Sequence, residues 1–410
     1  INSFMPTEIL HSKSDKPDVK NKVPGEFYFY PIDDWIFEKE YCIEKILKHF
    51  SVNSLKGFGI NHMSEGLISA GSILHYLGQN KHHELNHINS IQRIDEGDYV
   101  WMDKFTIKNL ELLYPSNENG VSLIDIICKT CTPMGARMLK RWLLFPLKNI
   151  DNIQARINVV DFFIKKEDIL NEVINVLKDI GDVERMLAKI STLRISPREL
   201  NKFKESLILS DIIKNCIFKK TQSKDILKLF NQYNNLQSLI NDLNNHIHPD
   251  APVLLSKGNV INYGVNKELD SYRELATSAE KILDDIKTRE IERTGIPSLK
   301  ISYNNVFGYY LEVRNTHKDK VPVEWIRKQT LVNAERYITE ELKELEVQII
   351  TAKDNIQHLE SEIYHNLVSS IIPSIPNVQH NASILSRIDC LTSFSFIAIQ
   401  NNYNKPNINE

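Results

Sequence analysis

Apolar positions change their spacing along the 410-residue chain, and the changes divide it. Residues 1–95 mix short apolar runs such as 27–30, an amphipathic stretch (Ile36, Tyr41, Ile43, Ile46, Leu47, Phe50) and glycine punctuation at Gly57, Gly59, Gly66 and Gly71. That is the pattern of a small α+β piece leading into helices, with residues 15–25 as an exposed connector. From about residue 103 to 246 the helical period dominates, interrupted at 115–120, Pro133, Pro146 and Pro197. Ser196-Pro197-Arg198-Glu199 offers a Ser N-cap with Pro at the first helical position.

The most informative spacing begins near Asn266. Leu269, Tyr272, Ala276, Ala279, Leu283 and Ile286 step by three and four in alternation, a heptad seam rather than a generic amphipathic face. Ile338, Leu342, Leu345, Ile349, Ala352, Ile356, Leu359 and Ile363 form a second seam of the same kind. Two seams in one chain predict an antiparallel helical hairpin. Between them the period falls to two: Leu299, Ile301 and Tyr303 alternate with Lys300, Ser302 and Asn304, then Tyr309, Leu311 and Val313 alternate with Tyr310, Glu312 and Arg314. Asn304-Asn305 suits the turn between these strands, and 326–332 is a third strand candidate. Helices of about 25 and 35 residues, rising about 1.5 Å per residue, would hold this small sheet several nanometres from the helical body. The expected fold is therefore mainly α: a multi-helical core and a long antiparallel hairpin that carries a small inserted β-rich domain, with an α+β piece at the N-terminus.

Bulk charge says little, because the chain sums to only −3. Its distribution says more: residues 293–333 hold seven Lys and Arg against three Asp and Glu, a net +4 that leaves −7 for the rest. A basic, Asn/Thr/Gln-rich tip on an acidic arm suits contact with a phosphate backbone; the plain alternative is a solvated face.

Five scattered cysteines (Cys42, Cys128, Cys131, Cys216, Cys390) do not make a disulfide framework and fit a reducing cytoplasm. Cys128-x-x-Cys131 has half-zinc spacing, but with no second pair and an apolar setting these read as structural thiols, so no metal is expected. No run of about 18 consecutive apolar residues occurs, so no membrane partner is expected. An enzyme reading lacks any Ser/His/Asp, paired-carboxylate or metal pattern at credible spacing, and His82, His83, His87, His246 and His248 read as loop or solvated residues.

Many segments, in order, resemble the MutS family of mismatch-repair proteins. They are Ser54-Leu-Lys-Gly-Phe-Gly; Met102-Asp103 with Asn109-Leu110-Glu111; Thr132-Pro-Met-Gly-Ala-Arg137 with Leu139-Lys-Arg-Trp-Leu143 and Pro146-Leu147; and Gly181-Asp182-Val183-Glu184-Arg185. The series continues with Arg293-Thr294-Gly295, Gly308-Tyr309-Tyr310, Gln329-Thr330-Leu331 and Asn333-Ala-Glu-Arg-Tyr337. By that resemblance, residues 1–95 are the end of a connector domain and entry to the core, 96–290 core and lever helices, 291–337 the clamp, and 338–410 the returning lever and lead-in to an ATPase domain. The resemblance implies double-stranded DNA as partner through its phosphate backbone, and, in the full-length protein, ATP and Mg, a MutL-type partner and a second MutS subunit. The family's Phe-x-Glu mismatch wedge has only a chance match at Phe203-Lys204-Glu205, and no Gly is followed by Lys as a P-loop requires. With the start at Ile1 lacking an initiator Met, this reads as a segment of something longer, without catalysis or a cofactor of its own.

For DNA-backbone contact the candidates are Lys300, Asn304, Arg314, Arg327, Lys328, Gln329, Thr330 and Asn333. Each has a plainer alternative: Asn304 serves the turn, Gln329 and Thr330 the ladder, Lys300 a solvated face. Many family members carry Lys where Val332 stands here, which removes one phosphate partner. The Thr132–Arg141 stretch, with 132 and 141 at its ends, is read as helix-start architecture, with Thr132 capping, Pro133 in the first turn and Trp142 in the core. The rival reading is a coiled-coil scaffold whose β tip binds a protein partner.

Overall fold

The computed structural model describes residues 6–15, 27–79, 85, 87–93, 97–117, 119–221, 223–304, 306 and 308–409. Most of the expected connector at 15–25, and His82, His83 and Asn305, lie outside them. The chain divides into two compact units, one of residues 1–195, 199–242 and 368–410, the other of residues 196–198 and 243–367.

The first unit opens with a parallel pair, β1 (Glu8–Ser12) and β2 (Tyr28–Ile32), followed by α1 (Lys39–Phe50) and α2 (Ser64–Gln79). Among the described residues nine helices follow: α3 (Lys104–Asn109), α4 (Leu123–Ile127), α5 (Pro133–Leu144), α6 (Ile150–Lys165), α7 (Glu167–Lys178), α8 (Val183–Ser191), α9 (Pro197–Lys220), α10 (Lys224–Phe230) and α11 (Gln237–His246). Phe203 is fully buried on α9, so its Phe-x-Glu spacing belongs to the core.

The last helix of this unit, α14 (Ile375–Gln400), is its axis, packed by α5, α6, α7 and α8. A helix covered this fully must satisfy its polar residues internally. Asp389, 0% exposed, accepts N–H bonds from Cys131 and Thr132, each 2.8 Å, and the Thr132 hydroxyl at 2.6 Å. Thr132 Oγ1 in turn accepts from Gly135 N at 3.0 Å, capping α5. Burial pushes the Asp389 carboxyl up and these donors pull it back. A Cβ on Gly135 would stand 2.1 Å from Asp389 Oδ2, so the carboxylate can reach the helix start only because residue 135 has no side chain. This accounts for the Thr-Pro-Met-Gly order. Trp142, by contrast, is only half-buried, because it forms a groove wall rather than core.

An 18-residue window apolar enough to cross a membrane exists within Glu340–Gln400, although no single apolar run is that long. That window is 67% buried against other helices, as a core helix is.

The second unit is the hairpin. α12 (Lys267–Thr294) and α13 (Glu340–Ile371) bring the two seams together: Ala279 and Ile286 share a core with Leu342, Leu345 and Ile349. Ile356, Leu359 and Ile363 are only half-buried. Nearer the base, Arg273 (8% exposed) donates to Glu360 (1%) at 2.5 Å, to Asp270 and to the Ile261 carbonyl, and its guanidinium lies over the Tyr263 ring. Glu360 also accepts from Val260 N at 3.2 Å.

Between the helices lie β3 (Lys300–Asn304), β4 (Gly308–Arg314), β5 (Ile326–Thr330) and β6 (Ala334–Ile338), an antiparallel sheet ordered β3-β4-β6-β5. The strand β6 escapes the alternation test because it is central: Ala334, Glu335 and Tyr337 are all buried. Ile338, four residues before Leu342, belongs to this strand and not to the helix.

Leu345→Ala should cost about 2–5 kcal/mol, and Leu359→Ala clearly less, because only the first side chain is fully enclosed. Gly135→Ala should destabilise by about 1–3 kcal/mol or more through the Asp389 clash. Denaturant titrations of the three variants check both statements.

Candidate nucleic-acid interface

Register decides which face each tip residue occupies, since alternate residues of a strand point to opposite sides. Ile301, Leu311, Tyr337 and Arg327 form one cross-strand row, and Lys300, Glu312, Arg336 and Gln329 form the next. The first row belongs to the side that closes over the seam, where Leu299, Leu311, Val313, Trp325 and Tyr337 join the hairpin core. The second row faces away.

The eight candidates therefore do not share a face. Lys300 and Arg314, both exposed, lie on the outward side near one end of the sheet. Gln329 shares that side, and its Oε1 accepts from Arg336 at 2.8 Å. Arg336 is also bonded to Glu312 at 3.2 Å and lies 4.4 Å over the Tyr310 ring. Thr330 opposes Glu335 on the inward side at the β5 edge. Arg327 also lies on the inward side and pairs with Glu335 at 3.3 Å. The Glu335 carboxyl is held below its usual range, first by the Tyr337 hydroxyl and then by Arg327, while burial and Glu335 push Tyr337 up to about 12. Lys328 sits in the β5 bulge between Arg327 and Gln329, exposed and outside the regular register. Asn333 stands exposed in the β5–β6 turn. Asn304 is at the opposite end from Lys300, about 13 Å along the strand, and its Oδ1 accepts from Val306 N at 2.8 Å, the turn role.

Two anchors set this geometry. Gly308 has φ 74°, and the Glu346 carboxylate occupies the space its Cβ would need, accepting from Tyr309 N at 3.2 Å; this pins one end of the sheet to α13. At the other end Asn315 donates from its backbone to Asn333 O (3.1 Å) and from its side chain to Val332 O (2.9 Å). The β5–β6 turn is thereby held beside Arg314. Asn315 starts a short 3-10 helix, Asn315–Lys320, that carries Lys318, a base that strand alternation could not single out because it lies between strands.

Among the described residues, Lys300, Arg314, Lys318 and Lys328 are exposed with no carboxylate in ion-pair contact, Lys318 acting on Glu335 only at longer range, whereas Arg293 is paired with Glu290 and Glu324, and Lys320 donates to the Gly295 carbonyl. The described residues contain no group of three or more His, Cys, Asp or Glu able to hold a metal, and Cys128 and Cys131 are half-buried free thiols.

The fold is that of a mainly α protein, with one helical unit and one unit made of a two-helix hairpin and its β insert. A family model described as MutS domain III matches residues 105–395, and one described as MutS domain II matches residues 1–89. The chain belongs to the MutS family. It is 48% identical over 410 residues to the DNA mismatch repair protein MutS of Flavobacterium psychrophilum, 47% to that of Flavobacterium johnsoniae and 46% to that of Bacteroides fragilis. Each alignment covers all of this chain and 47% of the relative, so the chain spans about half the length of the curated relatives it matches.

Val332 is 91% exposed, so Val332→Lys should leave stability within about 0.5 kcal/mol. If the turn meets DNA, the same change should steepen the log-affinity against log-salt slope by up to about 0.9. Parallel denaturation and salt titrations check the two halves.

Proposed function

We propose that this chain is the part of a DNA mismatch repair protein that grips the duplex backbone without reading sequence. The observation that supports this most is the set of four exposed bases outside the ion pairs described above, Lys300, Arg314 and Lys328 on the sheet and Lys318 on the 3-10 helix beside it, in a chain of net charge −3. Phosphate contacts of this kind fix register and orientation and carry no sequence information. Of the eight candidates, Lys300, Arg314 and Lys328 are the proposed primary contacts. Asn333 and Thr330 are proposed as neutral donors near the turn. Arg327 is shared with Glu335, and Gln329 and Asn304 are proposed as supporting residues.

In this reading α12 and α13 are levers. Helices of about 42 and 48 Å would turn a small rotation at their base into a large displacement of the sheet, the rigid-body class of transmission. The rotation would come from ATP and Mg bound in an ATPase domain of the full-length protein, which would act with a MutL-type partner and a second MutS subunit in the cytoplasm. The chain itself would bind DNA and catalyse nothing.

A second reading, a scaffold whose tip binds a protein, draws on exposed apolar side chains at the same sheet, Val306 (79%), Val323 (101%) and Ile326 (53%). Salt separates the two. Binding of a 30-bp duplex, followed by fluorescence anisotropy, should be weak, indifferent to a mismatch and steeply salt-dependent. Arg314→Ala with Lys328→Ala should flatten the slope by about 1.8, at about 0.9 per phosphate lost, with the fold intact by circular dichroism. An unchanged slope would favour the scaffold.

A further inference from the structure

A groove of about 1340 Å³ lies wholly within the first unit, larger than the roughly 300–1,000 Å³ usual for a small-molecule site. One face of α14 runs along it through Pro376, Gln379, Ser383, Arg387 and Leu391, a length of about 22 Å. Four cations line it from four helices: Arg141 on α5, Arg156 on α6, Lys228 on α10 and Arg387 on α14. Among the described residues two carboxylates share the wall, and both are already engaged, Glu184 by Arg137 and Asp225 by Asn158.

Arg156 is the least comfortable of the four. Its guanidinium stacks 3.6 Å over the Trp142 ring, and among the described residues it has no carboxylate partner. Burial, then the like charge of Arg387, push it down to about 10, still protonated at neutral pH. Among the described residues the four cations outnumber the two lining carboxylates, and such an excess of positive charge favours an anion that enters. The lining also holds apolar and aromatic surface, half-buried at Met138, Trp142 and Leu229, with Phe145 and Val159 buried beneath. A phosphate backbone is bound through polar donors and has no use for such a surface, whereas an amphipathic segment uses both.

We infer that this groove docks an acidic amphipathic helix of about 16 residues from a partner protein, its apolar stripe on the Met138–Trp142 surface, formed by residues 138 and 142, and its carboxylates against Arg141, Arg387 and Lys228. The site is separate from the DNA-gripping sheet and does not rest on that reading.

The test is a selection of displayed 16-residue peptides against the folded chain and, in parallel, against Arg141→Glu/Arg387→Glu. Both arginines are exposed, so the variant should fold; Lys228→Glu, also exposed, provides a second variant. Peptides enriched on the unaltered chain should carry net negative charge with apolar residues at i, i+3, i+4 and i+7. The best of them should bind at least about tenfold more weakly to either variant, and more weakly as salt rises. Exchanging its Glu for Lys should restore binding to the double variant, and neither a 20-bp duplex nor ATP should displace it. Enrichment without acidic bias, equal binding to the variants, or displacement by duplex or ATP would overturn the inference, the last by making the groove a phosphate site. Loss of peptide binding when the chain is expressed with its flanking reading frame would overturn the partner, assigning the groove to an internal segment.

Discussion

The second unit depends on one shared core. Ala279 and Ile286 on one helix and Leu342, Leu345 and Ile349 on the other would leave their seam open at the upper end without Leu299, Leu311, Val313, Trp325 and Tyr337 closing over it. The inserted sheet is equally unable to stand alone, since a small sheet needs a covered face to be stable. Each therefore completes the other's interior. The consequence for function is a subtraction: with much of one sheet face consumed by packing, a ligand of the tip is met by the outward row, the bulge, the turn, the short 3-10 helix and the exposed β5 edge. Period two then sorts the side chains without further freedom, which is why Lys300 and Arg314 point outward while Arg327, on the inward side, finds Glu335.

Much of this architecture was legible in the spacing of apolar residues. The alternation of three and four in both seams, and of two in β3 and β4, located the hairpin and its insert because each element has one covered face. Where a strand is flanked on both edges the signal weakens, as in Ala334–Ile338, whose burial does not alternate, and the apolar Ile338 then mimicked the next heptad position. The basic tip was legible as composition, but its pairing was not: whether a given Arg meets Glu335, Glu324 or solvent depends on cross-strand register, which a run of residues does not encode. The internal bonds of Asn304 to Val306 N and of Gln329 to Arg336 depend on that register too. The Thr132-Pro-Met-Gly segment showed a helix start, yet its buried acceptor, Asp389, lies 257 residues away.

Both units also bury charge at points where elements must meet in one register. Asp389, against the start of α5, accepts three hydrogen bonds, and in the Arg273–Glu360 pair between α12 and α13 Glu360 accepts from Arg273 and from Val260 N through one oxygen, the other having no partner among the described residues. Such groups penalise slippage more sharply than an apolar seam does, because a displaced Leu finds another apolar neighbour while a displaced carboxylate loses its donors. A stiff hairpin with a fixed register is what a lever needs.

The location of DNA on the tip is the point on which the functional reading stands or falls. Single cysteines placed at residues 332, 306 and 347, all exposed, can be crosslinked to a duplex carrying bromoacetyl groups on its backbone, with the unsubstituted chain as the control for the five native thiols. The geometry predicts efficient crosslinking from position 332, beside Arg314, little from 306 at the far end of the sheet, and none from 347 on the shaft of α13. Crosslinking that is absent at 332, or equal at 306 and 332, would contradict it.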